Sequence, residues 1–149
     1  MELLESEQPS IVGFSMNYLS QALSTFAMIG FLRRECPGVK LILGGGLVTS
    51  WMRRPHWQNP FEGLVDHLVA GPGEGPLLPL MGVTQSTDIL YKPNYNSLPI
   101  RDYFAPGPIL PYSASSGCYW NRCSFCPERT EANPYIAVPI EKVDRKSVV

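Results

Sequence analysis

Val39-Lys40-Leu41-Ile42-Leu43-Gly44-Gly45-Gly46 is a mostly apolar, partly β-branched run that ends in three glycines. An apolar run without polar alternation suits a strand covered on both faces, as in a parallel sheet. Glycines at its carboxyl end leave the backbone bare where open α/β sheets place their ligands. Upstream, Cys36-Pro37-Gly38 stops a helix, because proline lacks the donor to continue and glycine accepts a left-handed turn. The spacing predicts that helix over Ser20 to Glu35. Leu23, Phe26, Ala27, Gly30 and Phe31 fall at i, i+3, i+4, i+7 and i+8 as its core-facing stripe, with Gln21, Ser24, Arg33 and Arg34 off it. Before the helix, Ile11-Val12-Gly13-Phe14, ending in Ser15, reads as a second buried parallel strand.

Downstream, Thr49 to Gly63 mixes prolines, tryptophans and arginines without periodicity and reads as an irregular covering loop with one helical turn. Val65 to Ala70 is a third strand. It runs into Gly71-Pro72-Gly73-Glu74-Gly75, after which Pro76 to Met81 forms a short helix with its prolines near the first turn. Strand, helix, strand, loop, strand describes part of a doubly wound α/β domain over residues 1–81, without its opening strands. Residues 82–108, with Pro93, Pro99, Pro106 and Pro108, read as a linker, and a new strand is expected from Ile109 to Ala114. No internal repeat points to a solenoid.

Composition narrows the class. The chain has 149 residues, 44% of them hydrophobic and 17% charged, with a formal net charge of -1. That is a chain with a core, and no basic balance advertises nucleic acid. The acidic start Glu2-Leu3-Leu4-Glu5 is unlike a secretory signal, and no apolar run reaches the ~18 residues of a membrane span. A cytoplasmic location is expected. Three of the 4 cysteines crowd between residues 118 and 126, a poor disulfide framework and a good metal or cluster site.

That loop reads Ser116-Gly117-Cys118-Tyr119-Trp120-Asn121-Arg122-Cys123-Ser124-Phe125-Cys126. Structural zinc wants four ligands, and Cys36, His56 and His67 all lie in the other half of the chain. Three soft ligands without a local fourth suit a [4Fe–4S] cluster that keeps one iron open. Buried structural cysteines, and a small non-catalytic zinc-binding module that recruits a fourth ligand, are the alternatives.

Three cysteines with an aromatic residue directly before the last resemble the motif of the radical S-adenosylmethionine enzymes. The resemblance implies that Cys118, Cys123 and Cys126 ligate three irons of a [4Fe–4S] cluster. The fourth iron would chelate S-adenosylmethionine, Phe125 would lie near the adenine, and an electron donor would reduce the cluster. Four residues separate Cys118 from Cys123, where the commonest family spacing is three. The Gly-Cys-Tyr-Trp-x-Arg-Cys-x-Phe-Cys form is similar to a subgroup with an N-terminal cobalamin-binding-like domain, and the extra residue counts as a mark of that subgroup.

Ser15-Met16-Asn17, separated from Gly44-Gly45 by 26 residues, resembles the Ser-x-Leu and Gly-Gly pair of cobalamin-binding domains, with Asn17 where leucine is usual. The Gly-Pro-Gly-Glu-Gly after the third strand also resembles the subgroup. The resemblance therefore implies a partial doubly wound, flavodoxin-like domain of the cobalamin-binding type, with Ser15, Asn17, Gly44, Gly45, Gly46 and Glu74 as cobalamin or backbone contacts. The cobalt-ligating Asp-x-His-x-x-Gly motif of the family does not occur. His56 and His67 read as loop and strand-end residues, and Trp51, Trp57 and Trp120 as packing or interface anchors.

In the resembling family the cluster loop follows the first strand of a partial β/α barrel, which needs about 150–200 further residues. Only 23 follow Cys126. Residues 109–143 are therefore expected to be the start of a radical S-adenosylmethionine core, with Pro139 to Val143 as the first turn of its next helix. Asp144-Arg145-Lys146-Ser147-Val148-Val149 resembles the translation of a common sequencing-library adapter and is expected to be an artefactual tail on a truncated frame.

Overall fold

Leu41, Ile42, Leu43 and Gly44 are all buried, as a strand between two parallel neighbours requires. In the computed structural model, which describes residues 2–84, 95, 98–104, 106–107, 109 and 113–140, this strand is β2 (Lys40–Gly44). It lies between β1 (Ile11–Ser15) and β3 (His67–Leu68), parallel to both, with Ile11 opposite Lys40 and Ile42 opposite His67. β3 is shorter than expected, although Asp66 N–H to Leu41 O at 2.8 Å and Val69 N–H to Leu43 O at 2.9 Å carry the pairing past both its ends. Helix α1 (Glu2–Glu7) precedes β1.

Helix α2 (Ala22–Glu35), entered through a 3-10 turn at Leu19–Gln21, forms where the sequence places it but buries a different face. Thr25, Ile29 and Leu32 are buried, with Ala22, Phe26 and Cys36 packed beside them, whereas Leu23 is 85% exposed and Ala27, Gly30 and Phe31 also face outward. The helix is apolar nearly all round, so two stripes of helical period coexist and periodicity alone cannot choose between them. Polar anchoring decides: Arg33 donates through Nε to Leu64 O at 2.7 Å and pairs with Asp66 at 2.7 Å. Both bonds turn the Arg33 side of the helix inward.

The three glycines are not left bare. Gly46 opens helix α3 (Gly46–Met52), so the first part of the expected loop is helical, with Val48, Thr49 and Ser50 buried. After β3, α4 (Glu74–Leu80) starts earlier than expected and keeps Pro79 in its interior. Met16, Ile29, Leu32, Leu41, Leu43, Val48 and Val65 form one core between α2, α3 and the sheet. Phe61 anchors the covering loop, with ring centroids 5.0 Å from Phe26, 6.0 Å from Trp51 and 6.4 Å from Trp57.

A second, two-stranded sheet pairs β4 (Ser115–Ser116) antiparallel with β5 (Ile136–Ala137). β4 begins after the expected Ile109 to Ala114 strand, of which 110–112 lie outside the described residues. Most of the expected linker also lies outside them, and its described part holds a 3-10 turn at Ile100–Asp102. The backbone is helical at Ile140, while 141–143 and the expected tail 144–149 fall outside the described residues. The described chain is thus a small α/β structure with one parallel and one antiparallel sheet. Among the described residues the parallel sheet has the order β1-β2-β3, and β4–β5 is a separate antiparallel pair. Among the described residues no helix is long and apolar enough to cross a membrane.

Candidate functional site

Two groups of residues meet at the carboxyl end of the parallel sheet. The first is the glycine turn after β2. Gly45 has φ +99°, and a Cβ there would lie 2.6 Å from both the amide nitrogen and the carbonyl oxygen of Met16. Only glycine fits so close a backbone crossing. The crossing is closed by Met16 N–H to Gly44 O at 2.8 Å and Leu47 N–H to Met16 O at 3.2 Å.

Asn17 completes this turn: its Oδ1 accepts from Gly46 N–H at 2.8 Å, supplying a partner for an otherwise free donor at the start of α3. Asn17 Nδ2 reaches Ser15 Oγ at 3.4 Å, and Asn17 N–H donates to Gln21 Oε1 at 2.8 Å. Ser15, Asn17, Gly44, Gly45 and Gly46 are therefore brought together as the sequence implies, and their polar groups bond to one another. Glu74, also expected there, is exposed on the first turn of α4. Thr49, buried at 1% exposure, was not singled out by the sequence. Its Oγ1 donates to Gly45 O and accepts from Gly71 N–H, both at 2.9 Å, tying the turns after β2 and β3 together.

The second group follows the cysteine loop. Residues 117–135 form a loop whose base is the β4–β5 ribbon, locked by Val138 N–H to Ala114 O at 2.8 Å and braced by the Tyr119–Tyr135 edge contact at 6.2 Å. Cys126 is the N-cap of α5 (Pro127–Glu131), with Pro127 preset for the first helical position and Ala132 in the left-handed conformation that ends it. Helix α5 packs against α3. Glu131 places its carboxylate where a Cβ of Gly46 would stand, and Asn133 Nδ2 donates to Glu131 Oε2 at 3.1 Å. A Cβ on Gly71 would meet Arg53 Nη2 at 3.1 Å and Asn133 Oδ1 at 3.6 Å. Glu131, Asn133 and Arg53 carry no motif that would mark them in the sequence, since their meeting depends on contacts between distant segments.

Cys118, Cys123 and Cys126 are each half-buried, outside any disulfide and on one loop. Asn121 N–H points at Cys118 Sγ at 3.5 Å, and Cys126 N–H reaches Cys123 O at 3.4 Å. Among the described residues, no three His, Cys, Asp or Glu side chains are gathered as ligands for one metal ion. The donor set, three thiols on one short loop, fits a cluster that takes three protein ligands; the arrangement requires the loop to close before all three bind one metal group. Phe125 is 87% exposed beside Cys126, and Trp120, 55% exposed, carries Arg122 over its ring at 5.6 Å. Cys36 lies at the end of α2, packed on the core, and takes no part in the loop. The chain matches no protein-family model, no curated protein and no solved structure.

Proposed function

We propose that the chain belongs to a radical S-adenosylmethionine enzyme, located in the cytoplasm, where thiols stay reduced. The observation that carries this reading is the loop itself. Three half-buried thiols outside any disulfide stand within Cys118 to Cys126, with an exposed aromatic side chain directly before the last of them. Cys118, Cys123 and Cys126 would hold a [4Fe–4S] cluster, and Phe125 would offer its free face to the adenine of S-adenosylmethionine. When bound, such a cluster supplies the electron that cleaves S-adenosylmethionine to a carbon radical. The β4–β5 ribbon fixes the ends of the loop, and the Asn121 N–H holds a contact to Cys118 Sγ within it. An electron donor is the partner this chemistry requires.

Corrinoid binding at Ser15, Asn17, Gly44, Gly45, Gly46 and Glu74, with methyl transfer as its use, belongs to the same proposal. It requires Glu131 and Asn133 to leave Gly46 and Gly71, which they now cover.

Anaerobic reconstitution with iron and sulfide tests the ligand set. About four irons per chain with broad absorption near ~400 nm are expected, lost on exposure to air. Alanine at any one of Cys118, Cys123 or Cys126 should abolish assembly, and Cys36→Ala should leave it intact. Tight stoichiometric zinc without iron uptake would instead identify a small zinc-binding module, and equal loss of iron from Cys36→Ala would show the ligand set to be wrong.

A further inference from the structure

Helix α5 has a thiol at one end and a sheet contact at the other. Cys126 caps its start, and Glu131, its last residue, lies against Gly46. A helix this short moves as one body, so displacing Cys126 displaces Glu131. In the docked position the three thiols are not gathered around a common point. In this arrangement Glu128 Oε2 and Asn133 Oδ1 are buried without a hydrogen-bond partner among the described residues. Each such atom carries a desolvation cost, so the contact is held against an opposing force.

We infer that α5 is a latch between the thiol loop and the carboxyl end of the parallel sheet, and that metal loading and docking oppose each other. Docked, Glu131 sits over Gly46 while Asn133 and Arg53 sit over Gly71, covering part of each glycine turn. Loading draws Cys126 toward Cys118 and Cys123. Each thiol gives its proton to solvent as its sulfur takes the metal, and α5 leaves α3. The orphaned oxygens of Glu128 and Asn133 then reach water, which offsets part of the cost of release. The inference rests on the three cysteines being ligands but not on which metal group they hold.

The coupling is reciprocal, since whatever weakens docking must strengthen metal binding by the same factor. Anaerobic titration of the full chain with Co2+, read by thiolate-to-cobalt absorption, measures it. Glu131→Ala is expected to bind Co2+ about 5-fold or more tightly than the unaltered chain, with Asn133→Ala shifted the same way. In the unaltered chain, saturating Co2+ should speed hydrogen exchange at the amides of 46–52 and 128–133, a readout that needs no variant. Equal Co2+ affinity in all three proteins, or unchanged exchange in those segments, overturns the latch and leaves thiol ligation standing. Absence of thiolate-to-cobalt absorption in every protein overturns ligation by these cysteines and the latch with it.

Discussion

The parallel-sheet half and the cysteine half are built on different principles. Every buried hydrophobic side chain of the described residues lies between Met16 and Val69. In residues 113–140, by contrast, Tyr119, Trp120, Phe125, Tyr135, Ile136 and Ile140 are all exposed. The first half is held by a packed core and a three-stranded parallel register with β2 at its centre. The second is held by a two-stranded ribbon, a capped turn of helix and the contact of α5 with α3. The three loop cysteines thus sit on the part of the molecule with least packing, the low-stability end from which moving elements are drawn.

The sharpest way to break that comparison is to delete apolar volume from each half. Leu43 is fully buried in β2, so Leu43→Ala removes both its transfer energy and its packing, at a cost of about 2–5 kcal/mol. Phe125, although larger, is 87% exposed, and Phe125→Ala should change stability by no more than about 0.5 kcal/mol. Urea unfolding followed by circular dichroism compares the two. A comparable loss from Phe125→Ala would show that the cysteine half has a core of its own.

A smaller effect tests the polar tie within the sheet half. Thr49→Val keeps the shape of the side chain but leaves Gly71 N–H without its acceptor, at a cost of about 1–2 kcal/mol. Thr49→Ser, which retains the hydroxyl, should lose much less in the same urea titration. If the two variants unfold alike, the hydroxyl is not what joins the turns after β2 and β3.

These two halves were also unequally legible. β1, α2 and β2 follow from local signals: apolar runs of strand length, a helical repeat, and Cys36-Pro37-Gly38 as a stop. The buried face of α2 did not follow, because Leu23 and Phe31 compete with Ile29 and Leu32 on hydrophobicity, and the choice depends on Arg33 reaching Leu64 and Asp66. The start of α3 is hidden because glycine before a helix looks like a break, and the acceptor for Gly46 N–H, Asn17 Oδ1, lies far upstream in the chain. In the cysteine half the ligand candidates were legible from type and spacing alone, while the seat of Glu131 on Gly46 had no sequence mark. Spacing reports what a segment can do by itself; the contacts that hold the candidate site closed join residues far apart in the chain.

The smallest effect expected concerns the ion pair that orients α2, and pH separates it from simple packing. Asp66 Oδ2 accepts from Leu41 N–H at 2.6 Å and from Arg33 Nη2 at 2.7 Å. The backbone donor first, and the guanidinium after it, hold the carboxyl below its ordinary value of 3.8, against the opposing effect of burial. Because the folded chain holds this proton less tightly than the unfolded chain, the contribution is complete above pH 3.8 and drains away as pH falls through 3.8 and then through the lower folded value. Asp66→Asn keeps an acceptor for Leu41 and removes only the charge. Water reaches side chains that are 22% and 37% exposed, so the variant should lose at most about 1 kcal/mol at pH 7. That difference should shrink progressively as urea titrations are repeated at lower pH, and vanish once the pH is below the lowered folded value and the unaltered carboxyl is itself neutral. A gap that persists in acid would mean that Asp66 acts through shape rather than charge, and that the inward face of α2 is set by packing alone.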